Sequence, residues 1–500
     1  MFAPAPPIYT VAGIREIEEK LIPSARPSLM ERAGRAAAED AVRLIMDRPG
    51  PILFACGPGN NGGDGFVMAR QLRQAGREAV VAFAGDPAQL PSDAGRAHAD
   101  FLRAGGTITA ELPAAPPQGW ALVVDALFGI GLKRALEGRL AAWLDTLNAQ
   151  QAPRMALDLP SGLDADTGRP LGNCFRATHT TTFIALKPGL LTNDGPDYCG
   201  EITVQRLDID CPAWVPACGH GVTPSLFANL LMPRLRNTHK GRHGDVGIIG
   251  GACGMTGAAL LAGRAALWLG AGRVYVGFLD PNAPAVDFSH PELMLRRVTN
   301  VPTRLTVRAL GPGLGLSADA AEALAAAVAD DCALVLDADA LNLVAGDTAL
   351  QRTIASRKAA TVLTPHPAEA ARLLGADTAH VQDDRLAAAL ELAGRFRSHV
   401  VLKGCGSVIA TPDGRWFING TGHPGMASAG MGDVLTGLTA SLMAQGWPPE
   451  QALIAAVHLH GAAADQLARE ETGPIGLTAG ETIASARRVF NRWLADAVTH

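Results

Sequence analysis

Strand-length apolar runs recur through this chain, and most end in a loop bearing glycine or aspartate that leads into a helical pattern. In the first half these runs are PILFAC at 51–56, AVVAF at 79–83, ALVVDA at 121–126 and RMALDL at 154–159, with helix-periodic stretches such as FVMARQLRQAG between them. Strands that alternate with helices need crossover connections, so the pattern predicts a parallel sheet covered on both faces: an α/β domain of the Rossmann-like, three-layer αβα type. The second half repeats the logic with DVGIIGG, RVYVGF, CALVLDADAL, ATVLTPHP, HVVLKG and SVIATPDG between alanine-rich helices, which predicts a second αβα domain. No internal repeat relates the halves. Between them DIDCPAWVPACGHGVTPS, 208–225, breaks the periodicity with proline and glycine. The expected organisation is a first domain over residues 1–212, a linker at 213–224 and a second domain over 225–500.

Composition narrows the function classes. Five hundred residues are too many for one ordinary core. Lys plus Arg number 43 against 48 Asp plus Glu, so no basic field exists to attract a phosphate backbone and a dedicated nucleic-acid binder is disfavoured. Hydrophobic residues at 48% and charged residues at 18% exclude a disordered chain. The eight cysteines form no CxxC pair and no Cys/His spacing of the zinc kind, so neither a disulfide framework nor structural zinc is expected. The start, MFAPAPPIYTVAGIREIEEK, has no signal or transit pattern, and no run reads as a membrane span; the cytoplasm is the expected compartment.

The first-half motifs lie at strand ends, where open α/β sheets bind ligands. CGPGNNGGDGF, 56–66, follows a strand and opens a helix, so its N–H groups can cradle a phosphate. A plain turn would need only one of the three oxygen-bearing side chains Asn60, Asn61 and Asp64. Asp125 ends ALVVD ahead of ALFGIGLKR, and Asp158 ends RMALD ahead of LPSGLDADTG. Each Asp alone reads as a helix cap, the commoner role for Asp at a strand-to-helix junction. Together, Asp125, the Asn61 amide oxygen and groups around Ser161 suit a hard cation, leaving Asp158 to abstract a proton.

In the second half, GTGHPGMASAGMGDVLTGL at 420–438 is a glycine-rich loop entering an apolar helix. The N–H groups of Ala429 to Gly432 would form an anion hole for a phosphoryl group in flight, with Asp433 beside it to take a hydroxyl proton. VVLKGCGSVIATPDG reads as strand, turn and strand, bringing Lys403 and the following amides toward phosphates. In LTPHPAEAARLL, His366 stands between Pro365 and Pro367, held by fixed backbone angles as a contact residue, with Glu369 in a first helical turn. LGPGLGLS at 310–317 and LDADALNL at 336–343 complete the rim.

GNNGGDG, VVDALFGIGLKR and LDLPSGLDADTG, in that order, resemble the N-terminal epimerase domain of the NAD(P)H-hydrate repair enzymes. The later landmarks, with HKGRHGDVGIIGGACGMTGAAL at 239–260, resemble the ribokinase-like dehydratase domain of the same enzymes. The resemblance implies that R and S forms of NAD(P)H hydrate, hydroxylated at C6 of the nicotinamide ring, are interconverted. It further implies that ADP phosphorylates the S form, phosphate leaves and NAD(P)H returns. Asn61, Asp125 and Ser161 would ligate potassium. Asn60, Asn61, Gly62, Gly63 and Asp64, with Gly129, Ile130, Gly131, Leu132, Lys133, Arg134 and Ala135, would hold the hydrate in the first domain, with Asp158 at its reacting centre.

In the second domain Asp433 would be the base. Lys403, Gly404, Cys405, Gly406 and Ser407, with His423, Pro424, Gly425, Met426, Ala427, Ser428, Ala429, Gly430, Met431 and Gly432, would bind ADP, accompanied by magnesium. Ala258, Gly313 and Gly315, with His366, Pro367, Ala368, Glu369, Ala370, Ala371 and Arg372, would bind the hydrate. The chain departs from the family pattern at His423, where Asn is commoner, and at Met431 and Ser407, where Thr is. A homo-oligomer acting on small molecules is expected. Two other readings fit parts of the pattern, a ribokinase-like small-molecule kinase fused to a dinucleotide-binding module and a dinucleotide-sensing scaffold; the retained Asp158 and Asp433 argue against the scaffold.

Overall fold

The computed structural model describes residues 2–22, 25–46, 48–470 and 473–498. It divides into two compact units, Pro6–Cys218 and Gly219–His500 with Met1–Ala5. The division falls inside the expected linker, but two expectations shift. Gly219–Gly221 is a strand in the second unit's sheet, paired with Trp416–Ile418, and not linker. The first residues group with the second unit, where the Thr223 hydroxyl donates to the Ala3 carbonyl at 3.1 Å.

In the first unit seven strands lie in the order Thr107–Thr109, Ala79–Phe83, Ile52–Cys56, Leu122–Ala126, Arg154–Leu157, His179–Phe183 and Glu201–Gln205, all parallel. Side chains alternate across a strand, and the sheet uses both faces. Ile52, Phe54 and Cys56 enter one core cluster while Leu53 and Ala55 enter another. This double burial is why the central strands read as unbroken apolar runs. The strand His179–Phe183, HTTTF, escapes such a reading because its burial is polar. Thr180 donates to the Cys199 carbonyl at 2.7 Å and Thr181 to Asp40 at 3.0 Å, and β-branched threonine suits the pleat.

From Ile52–Cys56 the chain adds strands outward in one direction; from Leu122–Ala126 it adds them in the other. The crevice between these two strands is a topological switch point, where such sheets bind ligands. The glycine-rich segment expected as a loop there is helical from its first asparagine, in the helix Asn60–Gln74. Glycine is a poor helix former, by about 1 kcal/mol against alanine, yet packing demands it. A Cβ at Gly62 would stand 2.0 Å from the Gly57 carbonyl oxygen, and one at Gly65 2.6 Å from the Ala126 side chain.

The second unit repeats the device. Its strands run Gly219–Gly221, Trp416–Ile418, Val408–Ala410, His399–Leu402, Thr361–Leu363, Ala333–Leu336, Val307–Leu310, Asp245–Gly250, Arg273–Phe278 and Met294–Arg297. All neighbours are parallel except Val408–Ala410, which is antiparallel to both of its own as the strand–turn–strand reading of 400–414 requires. The switch point lies between Asp245–Gly250 and Val307–Leu310. The helices Thr256–Trp268 and Met431–Ala444 pack closely enough that a Cβ at Gly437 would lie 2.1 Å from the Ala262 carbonyl oxygen.

Two candidate active sites

At the first switch point a cavity of about 490 Å³ is lined by Asn60, Asn61, Asp64, Gly129 to Leu132 and Asp158, together with Glu18 and Lys187 from elements the sequence reading did not connect to it. Gly62 and Gly63 are buried in the helix Asn60–Gln74 and do not line the cavity. Lys133, Arg134 and Ala135 are not among the lining residues. Asp125 sits within its strand, fully enclosed, and is not a rim group. It accepts the Ser161 N–H and hydroxyl, each at 2.7 Å, and the Leu127 N–H at 3.1 Å. Burial nevertheless pushes its carboxyl up to about 6, against those hydrogen bonds. Neither the oxygen nor the nitrogen of the buried Asn61 amide has a hydrogen-bond partner. An unsatisfied amide oxygen and an enclosed carboxylate are donor types suited to an oxygen-seeking cation.

Asp158 ends its strand in a left-handed conformation, φ 65°, which non-glycine residues adopt at a cost of about 1–3 kcal/mol. A Cβ at Gly129 would lie 2.9 Å from its Oδ2 and 3.5 Å from Asn61 Oδ1, so the Asp158 carboxylate and the orphaned amide share one wall. Burial, with Asp158 next, raises the carboxyls of both Asp64 and Glu18.

At the second switch point two loops interlock: the Gly251 N–H donates to the Pro312 carbonyl at 3.0 Å and the Ala252 N–H to the Gly313 carbonyl at 2.7 Å. Gly313, φ 59°, passes so close that a Cβ would meet the Met255 carbonyl at 2.5 Å and the Ala258 side chain at 3.3 Å, which brings the expected contacts Ala258 and Gly313 together. Gly315 donates to Asp339 at 2.8 Å.

Across the rim, Asp337 is 1% exposed and accepts from Lys403 at 2.7 Å, Thr364 at 2.8 Å and Thr436 at 2.9 Å. Burial pushes this carboxyl up, but Lys403 and the hydroxyls outweigh it and hold it below the ordinary range. A Cβ at Gly432 would stand 3.2 Å from the Lys403 ammonium, so Lys403 lies against the first turn of Met431–Ala444. Its three leading N–H groups, from Met431 to Asp433, have no intrahelical acceptor and no side-chain cap. Of the four residues expected to form the anion hole, Met431 and Gly432 open the helix, Gly430, φ 89°, is its cap, and Ala429 precedes it. Asp433 is driven up to about 7 by burial and then by the charge of Asp337, with Lys403 opposing.

Some expected contacts are already committed. One ring nitrogen of His366 caps Pro367–Leu374, accepting from Ala368 at 3.1 Å and Glu369 at 3.3 Å, while Glu369 returns the bond to the His366 N–H at 2.8 Å. Ser407 closes its own turn, donating to the Gly404 carbonyl at 3.0 Å. His423 accepts from the Gly425 N–H at 3.1 Å. A further cavity of about 990 Å³ is remote from this chemistry: it touches Gln445, at the far end of the helix that begins beside Asp433.

Two α/β units, each gathering carboxylates and a lysine at a switch-point crevice, define an enzyme with two centres for nucleotide-like ligands. A family model of the YjeF-related protein N-terminus matches residues 26–189, and one of NAD(P)H-hydrate dehydratase matches 246–484. A bifunctional NAD(P)H-hydrate repair enzyme of Escherichia coli is 38% identical over 94% of this chain and 90% of its own length. Those of Moorella thermoacetica and Coxiella burnetii are 39% and 36% identical, covering 93% and 97% of the chain and 92% and 99% of themselves. An ADP/ATP-dependent NAD(P)H-hydrate dehydratase structure from Bacillus subtilis is 31% identical, with a TM-score of 0.48, over 54% of this chain and 97% of that one. The chain belongs to the bifunctional NAD(P)H-hydrate repair enzymes. Among the described residues no helix is long and apolar enough to cross a membrane.

Proposed function

We propose that the two centres divide the repair as an isomerase and a lyase. In the second unit, Asp433 takes the proton of the C6 hydroxyl of the S hydrate as that oxygen attacks a phosphoryl group of ADP. The first-turn N–H groups of Met431 to Asp433 and the Lys403 ammonium neutralise the charge that develops on the phosphoryl oxygens. AMP departs; the C6–O bond then breaks with loss of phosphate, C5 gives up a proton as the C5–H electron pair becomes the C5=C6 double bond, and NAD(P)H is restored. Magnesium would accompany the nucleotide and offset its charge. The observation that carries this reading is Asp433 tuned to about 7 beside an uncapped helix start and an ammonium. Incubation of the protein with racemic hydrate and ADP, following both epimers by chromatography together with AMP and phosphate, tests it. A phosphorylated hydrate that persists would point to a kinase instead.

A pH dependence follows from that tuning. The base works only when ionised, so dehydration kcat/KM is expected to fall as pH drops below about 7, tenfold per unit well below it. A flat profile between pH 5.5 and 8, read on S hydrate, would remove Asp433 from the chemistry.

In the first unit the reading is R-to-S epimerisation at C6, with Asp158 at the reacting centre. Asn61, Asp125 and Ser161 would hold potassium there, an ion that would brace the loops and help seat the anionic dinucleotide. One formal negative charge among otherwise neutral oxygens suits a large monovalent ion better than magnesium or calcium. The unsatisfied Asn61 amide and the enclosed Asp125 fit it. Replacing potassium with a bulky organic cation at constant ionic strength is expected to slow epimerisation and leave dehydration unchanged, and Asp125→Asn to abolish the response. Indifference of both would reduce the three residues to loop-bracing groups.

A further inference from the structure

We propose that Lys187 is a positioning residue of the first site: it takes one carboxylate oxygen of Asp158 out of play and leaves the other as the oxygen presented to the substrate. The inference rests on the epimerase reading above.

Lys187 follows the 183–186 segment FIAL and is 1% exposed. Its ammonium has three donors, and three acceptors meet it: Asp158 Oδ1 at 2.5 Å, the Thr182 hydroxyl at 2.8 Å and the Phe183 carbonyl at 2.8 Å. The neighbours converge on the same carboxylate oxygen. The Thr182 hydroxyl lies 3.3 Å and the Phe183 N–H 3.5 Å from Oδ1. None of these groups bonds Oδ2, which instead lies against Gly129 in the cavity wall, with Asn61 beside it. The two oxygens of one carboxylate are thus given different surroundings.

The backbone supports the same division. Asp158 is held in the left-handed region, so its side chain leaves the strand end at an angle an extended residue would not give. A buried ion pair is a poor source of stability, because burying both charges costs about as much as their attraction returns. A lysine with every donor occupied, gripping a strained aspartate on a cavity wall, is better explained by the geometry it imposes. Displacement of a reacting group by about 1 Å can cost about 100-fold in rate.

The test uses the full chain with R hydrate as substrate and S-hydrate dehydration as the internal control. Lys187→Ala is expected to lose about 100-fold in epimerisation kcat with KM within about threefold, while dehydration is unchanged. Propylammonium added to the Ala variant is expected to restore turnover, and n-propanol, of similar shape but neutral, is not. Parent-level kcat in Lys187→Ala, or equal rescue by n-propanol, overturns the proposal.

Should the Ala variant fail to fold, Lys187→Met fills the volume without the charge. A folded Met variant at the parent rate overturns the proposal, and so does a Met variant that cannot fold, since the lysine would then serve the fold. Asp158→Asn separates the two layers of inference. If it epimerises normally the epimerase reading itself falls; if it is inactive and Lys187→Met is not, only the role of Lys187 falls.

Discussion

Asp433→Asn is expected to abolish ADP-dependent recovery of NAD(P)H from S hydrate, by about 100- to 10,000-fold, the usual worth of general-base assistance, while R-to-S conversion proceeds at the parent rate. Asparagine keeps the size and the first-turn position, so the helix start, Lys403 and the Asp337 hydrogen bonds stay in place. Only the proton acceptor is lost. The substitution is not expected to cost stability. The folded-state carboxyl lies near 7, above its ordinary range, so the stability linked to its protonated form is complete at low pH and is lost as pH rises through 7. A neutral amide removes that loss, and the variant should melt no lower than the parent at pH 8. Unchanged S-hydrate turnover would leave Asp433 only the favourable charge of an acid at a helix N-terminus.

What was legible in the sequence was what local pattern encodes. The central strands of both sheets are apolar because both faces are covered, and their loops carry the glycines and aspartates that a crevice needs. Strands whose burial is polar or slight were not legible. His179–Phe183 is a run of threonines satisfied by distant partners, and Thr107–Thr109 is short and marginal. The same limit applies to the sites. Asp158 and Asp433 stood out because each follows a strand or opens a helix in a glycine-rich setting. Lys187 and Asp337 acquire their roles from partners 29 and 66 residues away, a distance no periodicity spans. One signal was present: a lysine directly following FIAL is a residue type almost never buried unless paired. LDADAL showed two aspartates at a strand end, but only the packed sheet decides that Asp337 turns inward to Lys403 while Asp339 turns to the Gly315 N–H.

For the first site the decisive variant is Asp158→Asn, expected to stop R-to-S conversion while S-hydrate repair stays near the parent rate. The choice of amide matters because of what surrounds the residue. Alanine would leave the Lys187 ammonium enclosed with its charge partner gone, and breaking a buried pair from one side costs about 3–5 kcal/mol. An inactive Asp158→Ala could therefore report a loosened domain. Asparagine still offers an oxygen to the Lys187 ammonium and the Thr182 hydroxyl in the geometry seen for Oδ1, and its NH₂ takes the place of Oδ2 on the cavity wall beside Gly129. The group facing the substrate then changes from an acceptor that can hold a proton to a donor that cannot. If Asp158 performs proton transfer at C6, the loss falls in kcat, with binding of the hydrate nearly retained. The measurement is the rate of R-hydrate disappearance in the absence of ADP, with far-UV circular dichroism and the melting temperature confirming the fold. Full epimerisation in a folded Asp158→Asn variant would make the left-handed aspartate and its lysine a strand-end brace, and would move the chemistry to Asp64 or Glu18, which line the same cavity.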